Sequence, residues 1–196
     1  MASIHGLQLK AVNLFEDHEG CPAYQGNIYL SNRKIGTYSN DYMCGPDHID
    51  LDFPYSLKLL EEELKRLHED IVVLPIGTGM PYARAYTAEV LFLDILSLNG
   101  KERLFKKVTK DAGYCGILTI DCGMESSSYK LPKYLSTATE ESIVNMFDGE
   151  IKKFETGYQY KYLETGECKV EVYRSLDDFK KGERIFLSSI VKKENK

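Results

Sequence analysis

Hydrophobic and polar residues alternate along the first 53 residues in the manner of half-buried strands. The alternation predicts strands over residues 4–15, 23–30, 35–39 and 48–53, each bounded by turn-forming residues. Between the second and third of these, Ser31 to Lys34 has the composition of a hairpin turn, with Asn32 suited to a positive φ. We therefore expect an N-terminal antiparallel β-meander of about four strands.

After Pro54 the pattern changes to helical spacing. The leucines of residues 57–67 recur every three or four positions and predict a first helix. A second, strongly apolar helix is predicted over residues 86–98 and should end at Asn99-Gly100. A third, with a basic face, is predicted over residues 101–111.

The rest of the chain alternates between apolar runs and polar segments. Strands are expected over residues 114–121, 169–174 and 185–191, and a helix capped by Thr139 should extend to Phe154, whereas residues 125–139 look irregular. This order indicates an α+β (mixed α/β) fold with helices packed on one sheet face. We expect a single domain over residues 1–196, with a possible division into a meander (1–55) and an α/β part (56–191), and a frayed tail (192–196).

The composition favours a cytoplasmic protein. The 196 residues are 43% hydrophobic, but no run approaches the length of a membrane span, and the N-terminus lacks the pattern of a secretory signal. The five cysteines are odd in number and irregularly spaced, which indicates free thiols in a reducing compartment rather than a disulfide framework.

Charge is distributed unevenly between the two halves of the chain. Residues 1–98 carry 7 Lys and Arg against 14 Asp and Glu, whereas residues 99–196 carry 18 against 16. An acidic half is poorly suited to nucleic-acid phosphates but suits a basic protein surface. We therefore expect binding rather than catalysis, through an acidic surface that contains tyrosine. Its residues are Asp41, Tyr42, Asp47, Asp50, Asp52, Glu61, Glu62 and Glu63.

Two alternative functions remain open. Two pairs, each of one histidine and one cysteine, flank the predicted hairpin over residues 23–39 and could hold zinc. They are His18, Cys21, Cys44 and His48. Such a site would indicate a metal-dependent module or enzyme. The basic face of residues 101–111 could instead contact nucleic-acid phosphates, through Lys101, Arg103, Lys106, Lys107 and Lys110.

Several short segments carry a resemblance to a known group of proteins. They are His18-Glu19-Gly20, residues 24–30 (YQGNIYL), Lys34-Ile35-Gly36, Gly45-Pro46, residues 104–107 (LFKK) and residues 172–179 (VYRSLDDF). In these segments the chain resembles a family of small uncharacterised proteins of phages and mobile elements of Gram-positive bacteria. The resemblance implies a bacterial host cell and an accessory role, a context that includes anti-CRISPR proteins and other inhibitors of host defence. The leading hypothesis is therefore a non-enzymatic inhibitor that occludes the basic groove of a nucleic-acid-directed defence enzyme, such as a CRISPR nuclease.

Overall fold

The structure is a computed structural model that describes residues 1–16, 22–40, 47–68, 71–73, 82–122, 125–156 and 169–192. It confirms the α+β fold class. The strands are β1 Ser3–Ile4, β2 Leu7–Glu16, β3 Pro22–Leu30, β4 Arg33–Asn40, β5 His48–Leu51, β6 Ile71–Val73, β7 Tyr82–Arg84, β8 Tyr114–Cys122, β9 Glu125–Pro132, β10 Lys169–Tyr173 and β11 Lys180–Lys181. The helices are α1 Leu57–Leu67, α2 Ala88–Val108, α3 Glu140–Met146 and α4 Asp148–Thr156, with 3₁₀ turns at Lys133–Leu135, Leu176–Phe179 and Leu187–Ile190.

The chain forms two compact units. The first contains Met1–Ile71, Arg84–Gly100 and Phe179–Lys196, and the second contains Val72–Ala83 and Lys101–Asp178. Helix α2 is continuous and contributes residues to both.

The first unit is built on a six-stranded sheet with the order β11-β1-β2-β3-β4-β5. Every neighbouring pair in it is antiparallel except β1 and β11, which run parallel. The predicted meander is therefore present, and the predicted hairpin turn is confirmed, since Asn32 has a φ of 66°. The predicted strand over residues 4–15 is wrong in one respect: His5 and Gly6 both have positive φ and form a tight turn between β1 and β2.

The two faces of this sheet differ because side chains alternate along each strand. One face carries the buried residues Leu9, Ile28 and Tyr38. Helix α2 covers this face, since the Phe92 ring lies 5.5 Å from the Tyr38 ring. The opposite face is polar, and its residues include Lys10, Asn27, Thr37 and Asp50, which occupy paired register positions.

Helix α2 does not end where the sequence predicts. Asn99 and Gly100 lie inside it, so the expected stop signal and the separate helix over residues 101–111 are wrong. Asn99 is 9% exposed, and its side-chain amide donates a hydrogen bond to the Leu9 carbonyl oxygen, 3.5 Å away. Tertiary packing therefore overrides the local preference of this pair for a helix end.

The second unit contains a three-stranded antiparallel sheet with the order β10-β8-β9. Its core consists of Leu118, Ile120, Leu131, Leu135, Ile143 and Ile151. Thr139 caps α3 as predicted, because its hydroxyl oxygen accepts a hydrogen bond from the Ser142 amide. Residues 125–132 were expected to be irregular but form β9, where Leu131 is buried and pairing with β8 outweighs the polar composition.

The C-terminal region departs from the prediction in a similar way. Residues 185–191 do not form a strand: Leu187–Ile190 is a 3₁₀ turn, and only Val191 makes an isolated bridge, to Tyr55. The edge strand is instead β11, which pairs with β1. Within the described ranges, the helices are too short or too polar to cross a membrane.

Candidate functional site

Asp50, on β5, and Asp52, just beyond its end, lie at an edge of the six-stranded sheet, because among the described strands β5 pairs only with β4. Asp50 stands opposite Thr37, and the Asp52 amide continues the pairing by donating to the Ile35 carbonyl oxygen at 2.8 Å. Both aspartates are exposed. In the part of the chain that the structure describes, neither side chain forms an ion pair.

Phe53 follows directly and is 78% exposed. The alternation along residues 48–53 predicts that Phe53 is buried with Ile49 and Leu51, and this prediction is wrong. The chain leaves the strand after Leu51 and turns, with the Tyr55 amide donating to the Asp52 carbonyl oxygen at 2.9 Å. The turn buries Tyr55 and leaves Phe53 in solvent, so an exposed aromatic residue follows two exposed aspartates in the chain. We call Asp50, Asp52 and Phe53 the acidic edge.

Asp47 belongs to the same stretch but has partners inside the chain. Its carboxylate accepts hydrogen bonds from the Tyr38 hydroxyl at 2.7 Å and from the Asn40 side-chain amide at 2.5 Å. Burial, and then the hydrogen bond to Asp47, raises the pKa of Tyr38, so this hydroxyl remains a donor. Asp47 therefore anchors the start of β5 to β4.

The three glutamates predicted to extend the acidic surface lie on α1, which packs against β5. Glu61 accepts a hydrogen bond from the Ala88 amide at 2.9 Å and thereby satisfies a backbone donor at the first residue of α2. Glu62 lies 3.9 Å from Lys58, and Glu63 lies 3.1 Å from Arg66. These exposed pairs are weakly held, so Glu62 and Glu63 can exchange partners at little cost.

Most of the predicted zinc ligands and two of the predicted contact residues lie outside the described residues: His18, Cys21, Cys44, Asp41 and Tyr42. His48 is described and lies exposed on β5. Among the described residues, no group of three or more His, Cys, Asp or Glu side chains is placed to hold a metal ion. The zinc site stays a prediction.

The basic residues predicted for nucleic-acid binding are divided by the structure. Lys101 is largely buried and forms ion pairs with Asp121 at 2.6 Å and Glu171 at 3.2 Å, which join α2 to β8 and β10. Lys106 pairs with Glu102 at 2.6 Å. The exposed cations of this stretch are Arg103, Lys106, Lys107 and Lys110. The charge of Lys101 is therefore neutralised by ion pairs within the second unit.

A chain of polar aromatic residues, which the sequence does not reveal, crosses the interior of the first unit. His5 is 3% exposed, and its Nδ1 lies 2.6 Å from the Glu183 carbonyl oxygen. Because a carbonyl oxygen only accepts, Nδ1 carries a proton, and His5 Nε2 shares a hydrogen bond with His68 Nε2 at 2.5 Å. The His68 ring stacks on Tyr86, whose hydroxyl donates to Asp94 at 2.6 Å.

These hydrogen bonds and ring contacts stabilise the fold of the first unit. Burial, and then the proximity of His5, lowers the pKa of His68, while Asp94 opposes this shift. Burial, with the hydrogen bond to Asp94, raises the pKa of Tyr86. Both ring nitrogens of His5 are engaged, and one of them holds the backbone at Glu183. No local pattern could have revealed the pair, since 63 positions separate its histidines.

The chain matches no protein-family model, no curated protein and no solved structure. The resemblance to phage and mobile-element proteins therefore stays a prediction.

Proposed function

We propose that this chain is a non-enzymatic binding protein that docks its acidic edge on the basic surface of a protein partner. The observation that carries the proposal is the 78% exposure of Phe53 next to Asp50 and Asp52. Aromatic side chains are enriched among the residues that dominate binding energy at protein interfaces, because they bury a large area on docking. Two carboxylates beside such a ring add steering toward a basic partner and select against an acidic one.

The position of Asp50 on an edge strand, with Asp52 and Phe53 just beyond its end, supports the proposal. An edge strand exposes a row of backbone amide and carbonyl groups, and charged side chains on it suppress indiscriminate pairing with other strands. The carboxylates of Asp50 and Asp52 would serve this purpose in the free chain. A partner that brings lysines or arginines neutralises both charges and gains access to the edge and to Phe53.

A nucleic-acid-directed defence enzyme fits the chemistry of this partner. Such an enzyme carries a basic groove that tracks a phosphate backbone, and a CRISPR nuclease holds its guide–target duplex in a groove of this kind. A protein that places Asp50, Asp52 and the neighbouring Glu62 in the groove would compete with the nucleic acid. Inhibition would then require no catalytic residue, and its strength would decrease with salt.

The test compares two variants that change net charge by the same amount. Asp50→Lys with Asp52→Lys alters the acidic edge, whereas Glu140→Lys with Glu141→Lys alters exposed residues of α3 in the second unit. Binding to immobilised CRISPR nucleases without target DNA is measured by biolayer interferometry at two salt concentrations. We expect a salt-sensitive complex that the acidic-edge variant weakens by about a hundredfold and the α3 variant leaves within about threefold.

Phe53→Ala separates the aromatic contribution from the charges. It should weaken the same complex by about tenfold or more, with an unchanged dependence on salt. Equal loss of binding in both charge variants, or no complex with any of the nucleases, would contradict the proposal.

A further inference from the structure

A cavity of about 430 Å³ lies in the first unit. Residues of β1 and β11 line it, and these strands form the edge of the six-stranded sheet opposite β5. Three separate segments line it: residues 3–8 with the β1–β2 turn, the β3–β4 turn at Ser31 and Asn32, and residues 180–184. Its volume lies within the range typical of small-molecule sites. We call it the basic cavity.

The charged residues of the lining are all cations. They are Lys180, Lys181 and Arg184, and among the residues that the structure describes no Asp or Glu lines the cavity. The exposed Arg184 donates a hydrogen bond from Nη2 to the Ser31 hydroxyl at 2.8 Å. A guanidinium next to two lysines favours a ligand with a concentrated negative charge, of which phosphate is the usual biological example.

Polar groups on the wall add a second requirement. Ser3, Ser31 and Asn32 line the cavity together with the cations. Their hydroxyl and amide groups can hydrogen-bond to hydroxyl groups of a ligand. A volume of about 430 Å³ also leaves room, beyond a phosphate group, for the organic part of an ester.

The walls are fixed by backbone geometry and by the buried histidine. Gly6 and Gly182 have φ values of 82° and 73°, a backbone conformation that residues with a side chain rarely adopt. A Cβ on Gly182 would come within 2.4 Å of the His5 ring. The Nδ1 atom of this ring is hydrogen-bonded to the carbonyl oxygen of Glu183, the residue after Gly182. The cavity is therefore preorganised, which reduces the entropy lost when a ligand binds.

We propose that the basic cavity binds a small soluble phosphate ester, with the phosphate near Lys180, Lys181 and Arg184 and the organic part of the ester beside Ser31 and Asn32. This site is distinct from the acidic edge and does not depend on the function proposed for it.

The test is isothermal titration calorimetry of the full chain at low ionic strength. The probes are inorganic phosphate, glycerol phosphate, ribose phosphate and adenosine monophosphate. We expect at least one ester to bind about tenfold more tightly than inorganic phosphate, because an additional hydrogen bond from the wall to the organic part is worth about that factor. Asn32→Gly, which suits the positive φ of this turn residue, should reduce this preference and leave the affinity for inorganic phosphate unchanged.

Arg184→Gln tests the charge requirement against a matched control. It should weaken ester binding by about tenfold or more, whereas Lys58→Gln, which removes one exposed positive charge from α1, should have no effect. Thermal melting of each variant confirms that it is folded. The proposal is overturned if no ester binds, if inorganic phosphate binds as tightly as every ester, or if Arg184→Gln and Lys58→Gln behave alike.

Discussion

The two edges of the six-stranded sheet carry opposite charges and are built in different ways. The acidic edge is a single stretch of chain, residues 50–53, in which Asp50, Asp52 and Phe53 are exposed. The basic cavity is assembled around β1 and β11 from three segments that lie up to about 180 positions apart. A continuous exposed edge suits a large partner that brings its own complementary surface, whereas a cavity formed by distant segments suits a small molecule. The contrast predicts that the cavity is sensitive to changes that disturb the fold and that the acidic edge is not.

The largest expected difference follows from glycine substitutions. Gly182→Ala forces a side chain into a positive-φ conformation and against the His5 ring, and should lower the free energy of unfolding by about 2–4 kcal/mol. Gly100→Ala is the control, because a Cβ there meets nothing within 4 Å and lies inside α2. It should stabilise the chain by about 0.5–1 kcal/mol. Urea unfolding measures both, and a Gly182→Ala variant as stable as the native chain would show that this turn does not constrain the cavity.

The next difference separates two neighbouring aspartates. Asp47→Ala removes the acceptor of the buried Tyr38 hydroxyl and should cost about 1–2 kcal/mol of unfolding free energy. Asp50→Ala changes an exposed residue and should remain within about 0.5 kcal/mol of the native chain. Chemical denaturation of the two variants side by side provides the measurement. Similar losses in both would mean that the acidic edge is part of the folded framework and not a free surface.

A smaller effect should appear with pH. Burial lowers the pKa of His68 in the folded chain, so between that value and the unfolded pKa of about 6.5 the unfolded chain binds more protons. The contribution of His68 to stability is therefore complete above about pH 6.5 and decreases as the pH falls toward its folded pKa. His68→Phe should retain the stack on Tyr86 and reduce the fall in melting temperature between neutral and mildly acidic pH. An unchanged pH dependence in this variant would contradict the role assigned to the histidine pair beneath the cavity wall.

The smallest expected effect concerns Phe53. Phe53→Ala should change the free energy of unfolding by less than about 0.5 kcal/mol, because most of the ring is already in solvent. The same method applied to Phe92→Ala, whose ring is fully buried, should give a loss of about 3–5 kcal/mol. A large loss on truncating Phe53 would assign it to the core and remove it from the acidic edge.

The sequence predicts the parts of the molecule that depend on neighbouring residues. Strict alternation locates β5, and the turn composition around Asn32 locates the β3–β4 hairpin. It also predicts that Asp50 and Asp52 share one face of that strand, since residues two apart share a face, but β5 ends at Leu51 and contains only Asp50. For the same reason it assigns Phe53 to the buried face, because the end of a strand is decided by hydrogen bonds that alternation does not contain.

Features that depend on distant residues are not predictable in this way. Asn99-Gly100 has the composition of a helix end, but the Asn99 side chain is hydrogen-bonded to Leu9, which lies 90 positions away in the sequence. The polar sequence of β9 gives no sign of its pairing with β8. The histidine pair and the basic cavity are likewise created by the topology, which brings residues 180–184 beside β1. None of these residues carries a local pattern that distinguishes it.

Amide hydrogen exchange of the chain with and without a captured nuclease tests the central claim most directly. Backbone amides at an exposed sheet edge exchange rapidly unless they are covered. The account predicts that the partner slows exchange over residues 48–53 and leaves residues 101–108 and 180–184 unchanged. Protection confined to the basic half of α2, with none over residues 48–53, would contradict it.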